Sequence, residues 1–255
     1  MITVHDKQVR AMKHFTLQKT GNTFYEFTDT RCYIGLIARE GNRTDYSRPK
    51  PEIRRDEKTL VSSVSGIDLS RIFFLDQEHA DVIIDINGPG DPDSYCAGTA
   101  DALVTAQPGL CLVIRSADCV PVMMFDPVKN LIAAVHSGWR GSALDISGKT
   151  VRYLSSRYGS VPADITAYIL PSIGPESYQV SRDVAEQFPK CHFKKTDGYY
   201  LNLWTAVEKS LSDAGISTSR IFHSGLCSLI ENDAFFSHRA GDIGRNLNFI
   251  TIKPF

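Results

Sequence analysis

The sequence has no excess of charge of one sign, no long apolar run and no paired cysteines. Its 28 Lys and Arg residues against 29 Asp and Glu leave a formal net charge of −1, so no overall basic field holds the chain on nucleic acid or on an anionic membrane. Apolar runs such as 120–125 and 131–135 have the length of strands and are too short to span a bilayer. Residues 1–19 carry scattered charges, so we expect no signal peptide and a cytoplasmic protein.

The six cysteines are spread through 255 residues, a pattern that does not indicate a disulfide framework. A buried, inert thiol is the default interpretation of each one. The hydrophobic share of 42% and the charged share of 22% are ordinary for a globular protein. No internal repeat and no flexible linker is visible. We therefore expect residues 1–255 to form a single domain.

Short apolar runs alternate with amphipathic patterns along most of the chain. The runs predict strands at 32–37, 72–75, 82–86, 110–114, 120–125, 131–135, 165–170, 221–223 and 248–253. The 3.6-residue pattern predicts helices at 142–158, 181–188 and 203–214. Continuous hydrophobicity in the central runs indicates strands covered on both faces. The prediction is an α/β fold, a single domain of mixed β-sheets with helices packed on them in a layered sandwich.

Two connecting segments have their own signatures. Residues 126–130 read Asp-Pro-Val-Lys-Asn and predict a hairpin turn between two strands. Residues 40–58 are rich in charge and contain two prolines. We expect this second segment to lie on the surface and to be the least ordered part of the chain.

Three potential metal ligands, His79, Cys119 and His136, lie at predicted strand ends, where loops gather and sites usually form. Two imidazoles and one thiolate suit zinc or copper, and three protein ligands leave a fourth coordination position open, as in catalytic sites. No CxxC or HExxH pattern ties these residues together. From spacing alone, a packed core thiol and hydrogen-bonded strand-end histidines are the favoured interpretation of these three residues.

The motifs at 100–105, 116–122, 134–141 and 171–175, with a closing pattern at 234–239 and 243–245, resemble the laccase-domain family. This is the YfiH-type family of purine nucleoside phosphorylases, formerly called multicopper polyphenol oxidases. The resemblance implies zinc, with copper as a possibility, held by His79, Cys119 and His136, which would also be the catalytic residues. It implies phosphorolysis of adenosine, inosine, guanosine and S-methyl-5′-thioadenosine, with adenosine deamination as a second activity.

The implied partners are small purine nucleosides and phosphate, with no nucleic acid and no membrane, in a monomer or a homodimer. Three departures from the family pattern stand out. Residues 77–80 read Gln-Glu-His-Ala where the family usually has Gln-Val-His-Gly. Glu176 replaces a common cysteine, and residues 43–60 match poorly.

Further polar residues are candidates for the same site. Arginine can grip phosphate with two parallel hydrogen bonds, and helix N-termini offer free amides to anions. The candidates for substrate or phosphate contacts are Arg39, Arg140, Arg239 and Arg245. Asp118 could orient a metal-bound histidine or cap a turn. Trp139 could stack on a purine or fill the core.

Other function classes remain open. A Cys119–His136 pair could act as a cysteine hydrolase, for example in the editing of cell-wall precursors. Copper-dependent oxidation of polyphenols is a weaker alternative, because the chain lacks the many histidines that a multicopper centre requires. A binding module without catalysis is the fourth interpretation.

Overall fold

The computed structural model describes residues 13–14, 18–20, 24–28 and 31–253. The expectation that no signal peptide is present falls mostly outside these residues and stays a prediction, as does the extent of the domain over the whole chain. Every helix in the described part of the chain is too short or too polar to span a bilayer.

The described residues contain sixteen strands and five α-helices. The strands are β1 (Lys13–His14), β2 (Gln18–Thr20), β3 (Phe24–Thr28), β4 (Cys32–Ile37), β5 (Ile72–Phe73), β6 (Ile83–Asp85), β7 (Ala102–Thr105), β8 (Cys111–Ser116), β9 (Val120–Asp126), β10 (Leu131–Ser137), β11 (Thr166–Ile169), β12 (Gln179–Val180), β13 (His192–Lys195), β14 (Gly198–Leu201), β15 (Ile221–His223) and β16 (Asn246–Ile252). The helices are α1 (Lys50–Ser65), α2 (Trp139–Ala143), α3 (Ile146–Tyr158), α4 (Arg182–Ala185) and α5 (Leu203–Asp213).

Two mixed sheets form the centre of the molecule. The seven-stranded sheet has the order β1-β15-β11-β9-β10-β7-β6, and the six-stranded sheet has the order β2-β3-β4-β16-β8-β5. A small antiparallel sheet, β12-β14-β13, stands apart from them. The predicted hairpin at 126–130 joins β9 and β10, in which Leu131 pairs with Asp126 and Ser137 with Val120.

Strands β9 and β8 are buried on both faces. Successive residues of a strand point to opposite sides, so alternate side chains pack in different clusters. Val122 and Met124 join the cluster that includes α3 and α5. Met123 and Phe125 pack in the cluster shared with the six-stranded sheet. On the far side, Val113 of β8 shares a cluster with residues of α1. The result is four layers, helix, sheet, sheet and helix, which confirms the predicted layered α/β sandwich.

The predicted helix at 142–158 is two helices. Asp145 adopts a left-handed conformation with φ of 62°, which ends the path of α2 before α3 begins. Val151 and Leu154 are buried as the periodicity predicts, but Leu144, placed on the same predicted face, is 46% exposed. The periodicity was wrong for Leu144 because it lies before the break.

The expectation for residues 40–58 was wrong in part: most of these residues are exposed or half-buried, as expected, but residues 50–58 form the first half of helix α1. Pro49 precedes α1 and Pro51 lies in its first turn, where proline is well tolerated because its missing amide has no partner to lose. Glu57 and Lys58 of this helix are 0% and 4% exposed. Lys58 donates three hydrogen bonds to backbone carbonyl groups of residues 91–94. Partners of this kind permit buried charges that composition alone assigns to the surface.

We predict that Leu154→Ala lowers the free energy of unfolding by about 2–5 kcal/mol, because the truncated side chain leaves a cavity between α3 and the sheet. Leu144→Ala is the matched control, and its cost should stay within about 0.5 kcal/mol, as for most surface changes. Urea unfolding of the two variants measures both values. Equal losses would contradict the layer assignment.

Candidate metal centre

His79 and Cys119 lie on two connections that cross from the six-stranded to the seven-stranded sheet. His79 lies between β5 and β6, and Cys119 lies between β8 and β9. His136 on β10 pairs with Pro121, two residues beyond Cys119. The ligand atoms of the three residues all lie within 4.8 Å of one another, and Cys119 Sγ is 3.7 Å from His79 Nε2. The structure thus brings together the three residues that the sequence singled out.

The Asp101 carboxylate, which is fully buried, organises two of the three. Its Oδ1 accepts a hydrogen bond from the His79 backbone amide at 3.0 Å, and its Oδ2 accepts one from the Ala80 amide at 2.6 Å. His136 Nδ1 lies 2.8 Å from Asp101 Oδ1. These contacts hold His79 in a left-handed conformation with φ of 62°. Sequence reasoning missed Asp101, although an acidic residue directly before the apolar strand β7 was the available signal.

The protonation of His136 follows from its neighbour. Burial by itself raises the pKa of Asp101, but hydrogen bonds from His136 and the Ala80 amide outweigh it and hold the pKa below its usual range. An ionised carboxylate only accepts hydrogen bonds, so His136 Nδ1 carries the proton that faces Asp101. Nε2 of His136 is then directed to the cluster, as in metal-ligating histidines whose other nitrogen is held by a carboxylate.

The Cys119 thiol is activated. Burial raises its pKa, but the charge and hydrogen bond of His136, together with those of His79, outweigh burial and lower the pKa to about 6. For His136, burial lowers the pKa, but the charges and hydrogen bonds of Cys119 and Asp101 outweigh burial and raise the pKa to about 9. Cys119 is therefore a thiolate at neutral pH, which is the form that binds metal and the form that attacks as a nucleophile.

Gly138 leaves the space that the cluster occupies. A Cβ at this position would lie 2.8 Å from His79 Cδ2 and 2.9 Å from Cys119 Sγ. Real side chains do not approach so closely, so any larger residue would displace one of the two ligands. The glycine in the 136–141 motif thus has a steric role beside the cluster.

The cluster borders a cavity of about 330 Å³, within the range of small-molecule sites, which is about 300–1,000 Å³. Ten described residues line it: Arg54, Gln77, His79, Arg115, Ser116, Ala117, Cys119, His136, His238 and Arg245. Gln77 fixes one wall, because its side-chain amide donates to the Arg115 carbonyl at 2.8 Å and accepts from the Arg115 amide at 2.9 Å. Arg54, Arg115 and His238 were not among the sequence candidates.

The four candidate arginines occupy different places. Arg245 lines the cavity. Arg39 pairs with Asp242, Arg140 lies 4.4 Å above the Trp139 ring, and Arg239 donates to the Gln179 carbonyl at 2.6 Å. These three are not part of the described lining of the cavity.

The structure also places three other residues that stood out in the sequence. Asp118 accepts hydrogen bonds from Ser228 Oγ at 2.7 Å and from the Arg239 amide at 2.8 Å, so it tethers the closing motif and does not orient a ligand histidine. Trp139 is half-buried against the core cluster next to α3 and α5. Glu176 is exposed and pairs with Lys195 at 2.8 Å.

Comparison with known proteins places this site in a family. Residues 39–253 match the family described as multi-copper polyphenol oxidoreductase laccase. The chain belongs to this family. The match covers all three residues of the cluster and most of the described structure, and it confirms the resemblance found in the sequence motifs.

Two relatives in this laccase family cover 96% and 77% of the chain. A purine nucleoside phosphorylase of Bacteroides thetaiotaomicron is 30% identical, over 96% of this chain and 97% of its own length. The purine nucleoside phosphorylase YlmD of Bacillus subtilis is 31% identical, over 77% of this chain and 76% of its own. Among solved structures, the hypothetical protein YfiH of Bacillus licheniformis has a TM-score of 0.85 at 28% identity, covering 93% of this chain and 99% of that one.

We predict that Asp101→Asn weakens the affinity for added Zn²⁺ by about 10- to 100-fold, because an amide no longer fixes the tautomer and orientation of His136. Competition with a chromophoric chelator measures the affinity.

Asp118→Asn is the matched control. It removes a buried charge beside Cys119 but leaves an oxygen for the Arg239 amide, so its affinity should stay at the natural value. Equal losses in both variants would show that buried negative charge, and not contact with His136, sets the affinity.

Proposed function

We propose that this chain is a zinc-dependent purine nucleoside phosphorylase that accepts adenosine, inosine, guanosine and S-methyl-5′-thioadenosine, with adenosine deamination as a side activity. One observation carries the proposal. The His79, Cys119 and His136 cluster borders a cavity whose lining includes three arginines. The relatives named purine nucleoside phosphorylase supply the substrate class.

The donor set fits zinc. Two imidazoles and one thiolate within 4.8 Å match the nitrogen and sulfur ligands of a catalytic zinc site, which keeps one position open. Copper accepts the same donors, but a multicopper centre needs several ligand groups, and the described residues bring together a single group of this kind. Zinc, when bound, supplies Lewis-acid stabilisation of developing negative charge.

Phosphorolysis exchanges one bond for another. A phosphate oxygen forms a bond to the anomeric carbon of the ribose while the bond from that carbon to the purine nitrogen breaks. The electron pair of the broken bond stays on the purine, and the hydrogen of HPO₄²⁻ ends on the released base. Base and ribose 1-phosphate therefore account for every atom and charge. Deamination instead adds water at purine C6 and releases ammonia.

The chain's own residues contribute position and charge. Guanidinium groups on the cavity wall stabilise the negative charge of the phosphate dianion while it lies next to the glycosidic bond. Asp101 and Gln77 hold the walls so that phosphate and nucleoside meet in a fixed geometry, which supplies much of the rate gain in a displacement. We further propose that the enzyme acts in the cytoplasm, as a monomer or homodimer, without nucleic-acid or membrane partners.

A cysteine hydrolase is the second candidate, and one observation favours it. The Cys119 thiolate interacts with the imidazole of His136, which in turn contacts the carboxylate of Asp101. The pKa of Cys119 is lowered to about 6. The same order of roles activates nucleophiles in hydrolases. In that mechanism His79 has no required role.

We predict that the Zn²⁺-loaded protein converts adenosine and phosphate to adenine and ribose 1-phosphate, because the cavity combines positive charge with a Lewis-acid site. Chromatography of the base, with and without phosphate and a chelator, measures the reaction. His79→Ala should lose bound zinc and at least about 100-fold in activity, exceeding the usual cost of losing an outer-shell contact.

His79→Ala separates the two candidates. The phosphorylase requires His79 as well as Cys119 and His136, and a chelator abolishes its activity. A hydrolase keeps its activity in His79→Ala and in chelator, while Cys119→Ala destroys it. Release of product from a peptide-like amide, with no base released from any nucleoside, would overturn the phosphorylase assignment.

A further inference from the structure

The cavity beside the cluster has a strongly basic wall. Arg54, Arg115 and Arg245 line it, and none of its described lining residues carries a carboxylate. Three guanidinium groups around a cavity of about 330 Å³ create a positive potential that concentrates small anions. An exposed basic patch would be ordinary, but one member of this wall is nearly inaccessible to solvent.

Arg115 is only 5% exposed and rigidly held. Its Nε donates to Glu57 Oε2 at 2.5 Å and its Nη1 donates to the Leu75 carbonyl at 2.7 Å. The guanidinium also lies 4.4 Å above the Phe74 ring. Nη2 has no hydrogen-bond partner among the described residues. A buried donor without a partner is costly, so a ligand oxygen that met this nitrogen would recover a strong, charge-assisted bond.

Glu57 does not neutralise the wall. Its carboxylate accepts from Arg115, from Arg54 Nη1 at 3.1 Å and from Tyr46 Oη at 2.9 Å. Two guanidinium charges thus share one carboxylate, which leaves this group of side chains with one surplus positive charge. Nε of Arg54 is a second buried donor without a described partner. Burial lowers the pKa of Arg115 to about 10, and Glu57 opposes that change, so Arg115 stays charged at neutral pH.

We propose that Arg115 and Arg54, fixed from behind by Glu57, form with Arg245 the subsite that binds the phosphate co-substrate. The inference rests on the proposed phosphorolysis. The cavity, the surplus positive charge and the buried donors without partners are together the features of a site that binds an oxyanion. Helix α1 delivers Arg54 and Glu57, so the segment that matches the family pattern poorly contributes to this wall. The candidates Arg39, Arg140 and Arg239 have no part in it.

The test separates phosphate from nucleoside. Arg54→Gln should raise the KM for phosphate by about 10-fold, and Arg115→Lys by about 10- to 100-fold, as expected for the loss of a charge-assisted hydrogen bond. The KM for inosine should change little in both. Arg182→Gln is the matched control, because Arg182 is exposed and pairs with Glu186, the residue that follows helix α4.

Direct binding gives a readout that does not depend on turnover. Calorimetric titration of inorganic phosphate into the Zn²⁺-loaded protein should show the same 10- to 100-fold weakening, and the rise in melting temperature caused by phosphate should shrink in both variants. If Arg115→Lys fails to fold, Arg54→Gln decides alone, because Arg54 is at the more accessible edge of the group.

The outcomes distinguish this subsite from the proposed function. Unchanged phosphate binding and KM in Arg54→Gln, or a raised KM for the nucleoside alone, overturns the subsite. A different outcome is also informative: the protein forms no ribose 1-phosphate, but the variants still bind phosphate more weakly. This result would support the anion subsite and overturn the phosphorylase assignment.

Discussion

The buried carboxylate of Asp101 is the constraint on which the site depends. It accepts hydrogen bonds from backbone amides of the segment that carries His79 and lies 2.8 Å from His136 Nδ1. A buried carboxylate is costly unless its oxygens are satisfied, and here the partners that satisfy it are the two elements that must converge. The same contacts that make the charge tolerable therefore set the ligand positions.

The two-sheet architecture decides where those elements meet. Strands β8 and β9 belong to different sheets, and only residues 117–119 connect them. So short a crossing keeps Cys119 at the point where the end of β8 meets the start of β9. His79 lies on a second crossing between the same sheets, and Gln77 ties that crossing to the backbone of Arg115. The cluster is thus a consequence of topology and not of a local sequence motif.

Sequence periodicity predicted the strands that are buried on both faces, such as β9 and β10, because continuous apolar runs have few other uses. It also placed His79, Cys119 and His136 at strand ends, although their interpretation as ligands depended on the family resemblance. Asp101 and Arg115 escaped prediction, since their roles come from partners about 20–60 positions away in the chain. Helix α1 escaped for the same reason, because charge composition does not reveal that Glu57 meets Arg115.

The burial of Glu57 with Arg115 makes best sense as a cost accepted for function. A buried ion pair is often no more stable than well-packed apolar residues of the same volume, and this group also leaves donor nitrogens without partners. An apolar core at the junction of α1 and β8 would avoid both penalties. What the charged arrangement supplies is a fixed guanidinium beside the cavity, which a flexible surface arginine could offer only by losing side-chain entropy on binding. Because sequences that violate local packing rules usually do so at functional sites, the burial of this charge is itself an argument that the cavity receives an anion.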